Sequence, residues 1–417
     1  MKKIILYYLY GIILIPIVIR VFWGRLDGLQ IHPGLFINGL ILSLLLIYFI
    51  GKITKKVSNG FFAKMIFGFT TVYFVNFFVV ELVQFSNIPV YNSLEYTSKI
   101  YLLLLLSFYI FKNAPYFLTK VDKILLINSL VLIINIVGGN YFQIGWLSYY
   151  AIENSQKGFT GGNESSIYAF VAFGYALYTM VDSKYLWKKY LSLFILIGSM
   201  LSLYIIATKG IIVAGIILIL FLINKILVRK KFVTKCLSII VMLIVIVFIY
   251  LNPIFKERVF LNYSIQIGQS KVMFNTLNYL PESMNWINII APGRIITGIT
   301  MLVTLFTDNL LNILFGYGIG GIYKAFGRPP MMDSLAIIGY YGVFGFFVFY
   351  LPQLILVISI IKKRSFDMIN VLFLSVFLYG SLGGFLYGTS GAGALYAFLF
   401  ALSYYKSLKR THYFISQ

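Results

Sequence analysis

Six side chains carry most of the chemistry this sequence can offer: Asp333 and Glu164 as proton acceptors, and Arg294, Lys209, Arg258 and Lys271 as fixed cations. Asp333 follows RPPMM and opens an apolar run, and Glu164 stands beside Asn163 at the entry to another. A carboxylate at such a mouth costs free energy unless it has a partner or faces water, and one that does can take a proton from a reacting hydroxyl. The plain alternatives are a helix N-cap for Asp333, which Ser334 would serve equally, and a first-turn acid for Glu164. Arg294 follows Pro292-Gly293 at the expected start of an apolar helix, where free N–H groups favour an anion. Arginine stays charged and grips phosphate oxygens through two donors; the alternative is an anchor to lipid phosphates. Lys209 lies in the tight turn ATKG with no acidic neighbour, and a headgroup-seeking lysine would look the same. Arg258 and Lys271 lie in a long polar-interrupted stretch, where a solvated loop is the alternative.

Other chemistries are excluded. The single cysteine, Cys236, allows no internal disulfide, and no His, Cys and carboxylate cluster has metal-ligand spacing, so no metal and no cofactor is expected. The run GYGIGG (316–321) follows no strand and opens no βαβ unit, so it reads as a flexible loop rather than a nucleotide cradle.

The elements that must position these residues follow from composition. Of 417 residues, 60% are hydrophobic and 11% charged, against roughly 45–50% and about 25% in soluble domains. That composition excludes a soluble enzyme, a disordered chain and a nucleic-acid binder with one membrane tail. Runs long enough to cross a bilayer, about 20 residues each, fall near 4–22, 34–51, 62–80, 96–111, 124–138, 166–181, 190–207, 210–228, 236–252, 334–361, 368–386 and 389–405. They are continuously apolar, which argues for helices over barrel strands. The expected fold is an all-α polytopic membrane protein of about 12 transmembrane helices, forming one integral membrane domain over 1–417. The first run is read as an uncleaved span, because Val18, Arg20 and Phe22 stand where a cleavage site would need small residues.

Charge tests that count. With the N-terminus cytoplasmic and the sides alternating, 23 of the 34 lysines and arginines fall inside, with 3 of the 12 acids. The inside face then carries +20 of the net +22, the asymmetry expected of cytoplasmic loops. Both termini are expected inside, and the charge needs no nucleic acid to explain it. Membrane lipids are the expected partner of the basic face.

Two external segments exceed ordinary connectors: 139–165, and 253–333 between the ninth and tenth runs. The second holds two expected short helices, NYSIQIGQSKVMFNTLNYL and NIIAPGRIITGITMLVTLF, and six cations including Lys324 and Arg328. Long ordered loops are more often functional than not, so a site is expected on the outer face beneath this loop. The external aromatics Trp23, Tyr91, Trp146, Tyr149, Tyr150, Trp286 and Tyr317 are expected in the interfacial belt, with sugar stacking as the alternative.

In order along one side of the membrane come GGNESS (161–166), ATKG (207–210), Arg294, LFGYGIGG (314–321) and MDSLAIIGYYGVFGF (332–346). This order, with twelve runs and one dominant outer loop, resembles the Wzy-type O-antigen and capsular polysaccharide polymerases and their relatives the O-antigen ligases, over roughly residues 140–350. Ligases usually have an arginine in the turn and a histidine opening the span after the loop. Lys209 and Asp333 stand there, and His32 and His412 lie elsewhere, so the chain looks more like a polymerase. The resemblance implies a metal-independent glycosyltransferase of the bacterial cytoplasmic (inner) membrane. Its donor would be an oligosaccharide on undecaprenyl diphosphate and its acceptor a second lipid-linked unit, at the outer face. Arg294 and Lys209 would hold the diphosphate, with Arg258 and Lys271 as further donors, and Asp333 or Glu164 would activate the acceptor. A chain-length regulator and a flippase are the implied partners. A ligase on the same scaffold and a lipid-linked oligosaccharide flippase or transporter are the alternatives.

Overall fold

The computed structural model describes residues 1–23, 33–53, 60–81, 90–145, 156, 158–159, 162–206, 210–228, 294–326, 332–383 and 389–415. The chain opens with α1 (Lys2–Tyr10) and α2 (Leu14–Trp23), then α3 (Pro33–Ile53) and α4 (Phe61–Val75), which a π-helical turn extends over Asn76–Glu81. α5 (Val90–Lys112), the short α6 (Ala114–Leu118) and α7 (Val121–Ile133) follow, α7 continuing through a second π turn to Tyr141. Next come α8 (Gly162–Asp182), α9 (Leu186–Ile206) and α10 (Gly210–Val228). The second half holds α11 (Arg294–Thr307), α12 (Leu310–Phe315), α13 (Gly318–Phe326) and α14 (Asp333–Gly345). A third π turn (Phe346–Tyr350) leads into α15 (Leu351–Lys362), and α16 (Met368–Gly383) and α17 (Ser390–Ile415) complete the order.

Every expected apolar run except the ninth coincides with helix; 236–252 lies outside the described residues. No strand occurs among the described residues. Among the described residues, five segments are long and apolar enough to cross a membrane: Phe61–Val80, Ser93–Lys112, Val121–Tyr141, Leu186–Ile206 and Asp333–Lys362. The fourth and fifth runs are longer as helices than as sequence, because polar residues at their ends still continue the backbone hydrogen bonding.

The solvent these helices suit can be read from α9. It buries Ser192, Ser199 and Ser202 and exposes Phe194, Ile197 and Leu201. The buried hydroxyls of Ser199 and Ser202 donate back to the carbonyls of Leu196 and Gly198, both at 2.8 Å. A helix with small polar residues inside and large apolar ones outside is reversed for water and right for lipid, where close packing, not hydrophobicity, joins helices. The protein is a helical membrane protein.

Its centre is α8 together with the first half of α17, which are buried all round: residues 164–178 and 391–403 expose almost nothing. Small residues allow this approach. A Cβ on Gly174 would lie 2.6 Å from Leu372 Cδ2, so α8 and α16 touch there backbone to side chain.

The first run is not one straight helix. Gly11 ends α1, and the chain restarts as α2 at Leu14. Pro16 removes the amide that would bond the Ile12 carbonyl, so the ladder cannot run through. Asn128 on α7 compensates: its Nδ2 donates to Leu9 O at 2.8 Å, and its Oδ1 accepts from the Ile13 amide at 3.3 Å. The sequence count treats 4–22 as one uninterrupted span; the break is a consequence of Gly11 and Pro16 acting together.

The charged contacts concentrate at positions the charge count assigns to one side. Lys2 lies over the Tyr116 ring, Lys188 pairs with Asp122 at 3.8 Å, and Lys406 pairs with Asp367 at 2.9 Å.

Candidate functional site

Three helices of the long segment 253–333, α11 to α13, pack into the bundle. Residues 316–322 are buried throughout. The GYGIGG run is therefore not a flexible loop but a tight junction, and its glycines serve backbone-to-backbone contact. Gly316 (φ +78°) and Gly342 (φ +66°) take left-handed conformations open to glycine. A Cβ on Gly316 would lie 2.5 Å from the Tyr340 backbone, and one on Gly342 would lie 2.4 Å from that of Leu314. The Tyr317 amide donates to Gly339 O at 2.9 Å across the crossing.

One side chain closes this junction. Asn76, 1% exposed at the start of the first π turn, aims its amide nitrogen at three carbonyls. It donates to Phe315 O at 2.7 Å and Tyr340 O at 2.9 Å, with Gly316 O at 3.4 Å. Tyr317 is not a sugar-stacking belt residue either. It is buried, and its hydroxyl donates to Asp308 Oδ2 at 2.7 Å. Hydrogen bonds from Asn312 and Tyr317 hold the Asp308 carboxyl below its usual value against the opposing effect of burial, while burial and the Asp308 charge push the Tyr317 phenol up. The other belt candidates lie outside the described residues or, for Trp23 and Tyr91, have undescribed side chains.

Asp333 is the first residue of α14 and is 3% exposed. It is not the helix N-cap: Met332 holds that position without a side-chain hydrogen bond, and Ser334 instead donates to Ser381 O on α16 at 3.0 Å. Tyr350 and Ser381 share a hydrogen bond beside it. The Asp333 charge reaches the phenols of Tyr96 on α5, Tyr340 and Tyr350, and Tyr96 meets Tyr340 edge-on at 5.0 Å.

Arg294 begins α11, as the Pro-Gly signal predicts; its side chain lies outside the described residues. The register of α11 on α14 is nevertheless fixed by two contacts. A Cβ on Gly298 would meet Leu335, and one on Gly339 would meet Met301. The helices therefore run parallel. Arg294, one turn before Gly298, stands level with the start of α14, where Asp333 precedes Leu335 by two residues. Two helix N-termini, each with free N–H groups and the positive end of a dipole, stand side by side.

Glu164 occupies the first turn of α8, 5% exposed. It accepts from the Tyr168 hydroxyl at 3.0 Å, and both groups press on Gly391 of α17, where a Cβ would lie 2.1 Å from Tyr168 Oη and 2.6 Å from Glu164 Oε1. The Ile12 carbonyl, in the break of the first run, faces the same point at 3.3 Å. Glu164 thus abuts the start of α17 and Asp333 the end of α16, the two ends of one connection. The described hydrogen bonds do not join the two carboxylates to each other.

Lys209 lies outside the described residues, among the three that separate α9 from α10 in the chain. Arg258 and Lys271 also lie outside them. No group of three or more His, Cys, Asp or Glu that could hold a metal occurs among the described residues.

Sequence reasoning passed over Glu95 and Lys99, an ion pair at 2.7 Å in the first three turns of α5. Their signal was present: an acid and a base four apart, the basic one inside the run 96–111. Tyr323 on α13 neighbours the pair, its phenol pushed up by burial and then by the Glu95 charge.

Comparison with protein families, with curated proteins and with solved structures returns no match.

Proposed function

We propose that this chain is a polymerase of lipid-linked oligosaccharide repeat units, a metal-independent glycosyltransferase acting at the outer face of a bacterial cytoplasmic membrane. The observation that carries this reading is the pairing of two parallel helix N-termini, one opened by Arg294 and the other by the buried Asp333. A group that binds an anion and a proton acceptor are wanted at the same level in a transfer from a lipid diphosphate.

In the proposed reaction the acceptor hydroxyl oxygen attacks the anomeric carbon of the donor glycan. The bond from that carbon to the diphosphate oxygen breaks, the leaving lipid diphosphate keeps the electron pair, and the acceptor's proton passes to a carboxylate. Arg294 and Lys209 stabilise the departing charge, with Arg258 and Lys271 as further donors, and Asp333 or Glu164 takes the proton. The burial of both acids supports a basic role more than a solvated one.

A transporter of lipid-linked oligosaccharide is the second reading. It is favoured by the broken first helix with buried Glu164 near the break, since unwound helices beside buried charges line many transport sites. A ligase is disfavoured by Lys209 and Asp333 at the positions discussed above.

The deciding experiment is mass spectrometry of the lipid-linked glycan pool in cells lacking the gene, with the membrane side determined. Single repeat units on the outer face, reproduced by Arg294→Ala, are expected. Long unligated chains would indicate a ligase instead, and single units confined to the cytoplasmic face would overturn the polymerase in favour of the transporter.

A further inference from the structure

The pair Glu95–Lys99 has features that a structural ion pair does not need. Both residues lie within the first two turns of the apolar segment Ser93–Lys112, with side chains only 31% and 19% exposed. An i,i+4 pair returns little stability, whereas a charge inside a span is costly unless it meets water, a partner or a ligand. Lysine side chains on a helix point back toward its N-terminus, and the 2.7 Å bond to Glu95 Oε1 shows that Lys99 does so. Its ammonium therefore sits about one turn above its own Cα, level with Glu95 and Tyr96.

That level is also where the candidate site residues converge. Tyr96, next to Glu95 in the chain, meets Tyr340 of α14 edge-on at 5.0 Å. The Gly320 amide of α13 donates to Ser93 Oγ at 3.2 Å, which pins the loop helix to this first turn of α5. The start of α11, with Arg294, stands at the same end of α14.

We infer that Lys99 is a further anion-binding residue of this site, and that its ligand is the phosphate end of a lipid-linked substrate. The inference rests on the function proposed above and deepens it. Glu95 is a resident counter-ion: it holds the ammonium in place when no ligand is bound, and an incoming phosphate displaces it. The lipid tail fits the placement, since Lys99 is reached from within a membrane-crossing segment rather than from an aqueous loop.

The test uses the purified full-length protein in lipid nanodiscs, with farnesyl diphosphate, farnesol and inorganic pyrophosphate as probes and dissociation constants read by native mass spectrometry. Farnesyl diphosphate should bind more tightly than either other probe. Lys99→Met should weaken it at least tenfold while leaving farnesol unchanged, and Lys99→Arg should restore it to within about threefold. Glu95→Gln should tighten it, because the competing carboxylate charge is gone. Unchanged affinity in Lys99→Met, or weaker affinity in Glu95→Gln, would overturn the inference, and the second holds even if Lys99→Met fails to fold. Pyrophosphate binding as tightly as farnesyl diphosphate would overturn the lipid-linked assignment. The two proposals fail separately. Loss of diphosphate binding in Lys99→Met alongside a cytoplasmic glycan pool sinks the polymerase and keeps the anion site; an outer-face pool with unchanged binding does the reverse.

Discussion

Asn76 offers the most direct check on how the helices α12 to α14 are joined to the bundle. Its amide is 1% exposed and makes two short hydrogen bonds, to Phe315 O at 2.7 Å and Tyr340 O at 2.9 Å. The Tyr340 carbonyl cannot find a regular helical donor, because Gly342 takes a left-handed conformation two residues later. Asn76→Ala leaves both carbonyls buried and unsatisfied. At about 1 kcal/mol for each bond, the junction should lose about 2 kcal/mol. The average interhelical bond in a membrane is worth only about 0.6 kcal/mol, but here one residue serves two irregular backbone groups at once. Asn76→Asp should be worse than Asn76→Ala, since it keeps the shape and turns an oxygen lone pair toward three carbonyls. The assay is hydrogen–deuterium exchange in nanodiscs, read at the Tyr317 amide, which donates to Gly339 O at 2.9 Å. A loss of about 2 kcal/mol corresponds to roughly 30-fold faster exchange there, with amides of α8 unaffected. Equal protection in wild type and Asn76→Asp would refute the reasoning, for it would mean that the amide donors do not hold the junction.

Two further outcomes follow from geometry already described. Gly391→Ala should displace Tyr168 and Glu164 and lower the thermal midpoint in detergent, because its Cβ would lie 2.1 Å from Tyr168 Oη. Gly39→Ala, where nothing stands within 4 Å, should be neutral or stabilising in the same assay, and equal effects would argue against the packed arrangement at Gly391. The turn 308–317 should loosen in acid. The Asp308 carboxyl lies below its usual 3.8 in the folded protein, so its contribution is present above that value and lost as pH falls through the lower folded value. Exchange at the Asn309 and Asn312 amides between pH 5 and pH 3 measures this, and Asp308→Asn should remove the pH dependence.

The candidate site was legible in part. Asp333 and Glu164 could be singled out because an acid at the mouth of an apolar run is expensive, and both prove buried. The start of α11 at Arg294 was legible from Pro292-Gly293, since proline tolerates the first turn of a helix and little before it. Glu95 and Lys99 were passed over because a nearby acid and base on one helix look like ordinary mutual neutralisation. The role of Gly316 was misread because a glycine-rich run signals only backbone freedom; whether that freedom becomes motion or close packing depends on what lies opposite.

The amino-acid sequence by itself determined that the chain is helical and belongs in a membrane, and which stretches form its apolar helices. Those properties come from the length of apolar runs, and from the need of every backbone group in hydrocarbon to bond within its own segment. Only the tertiary structure decided which helices touch. It set α11 parallel to α14, so that Arg294 and Asp333 stand level. It also set Asn76 against carbonyls more than 200 residues away and brought Glu164, Tyr168 and Ile12 to one glycine of α17. The physical reason is that lipid solvates every apolar face about equally. Hydrophobicity places a helix in the membrane but does not choose its neighbours, and small residues, irregular backbone and a few buried hydrogen bonds make that choice.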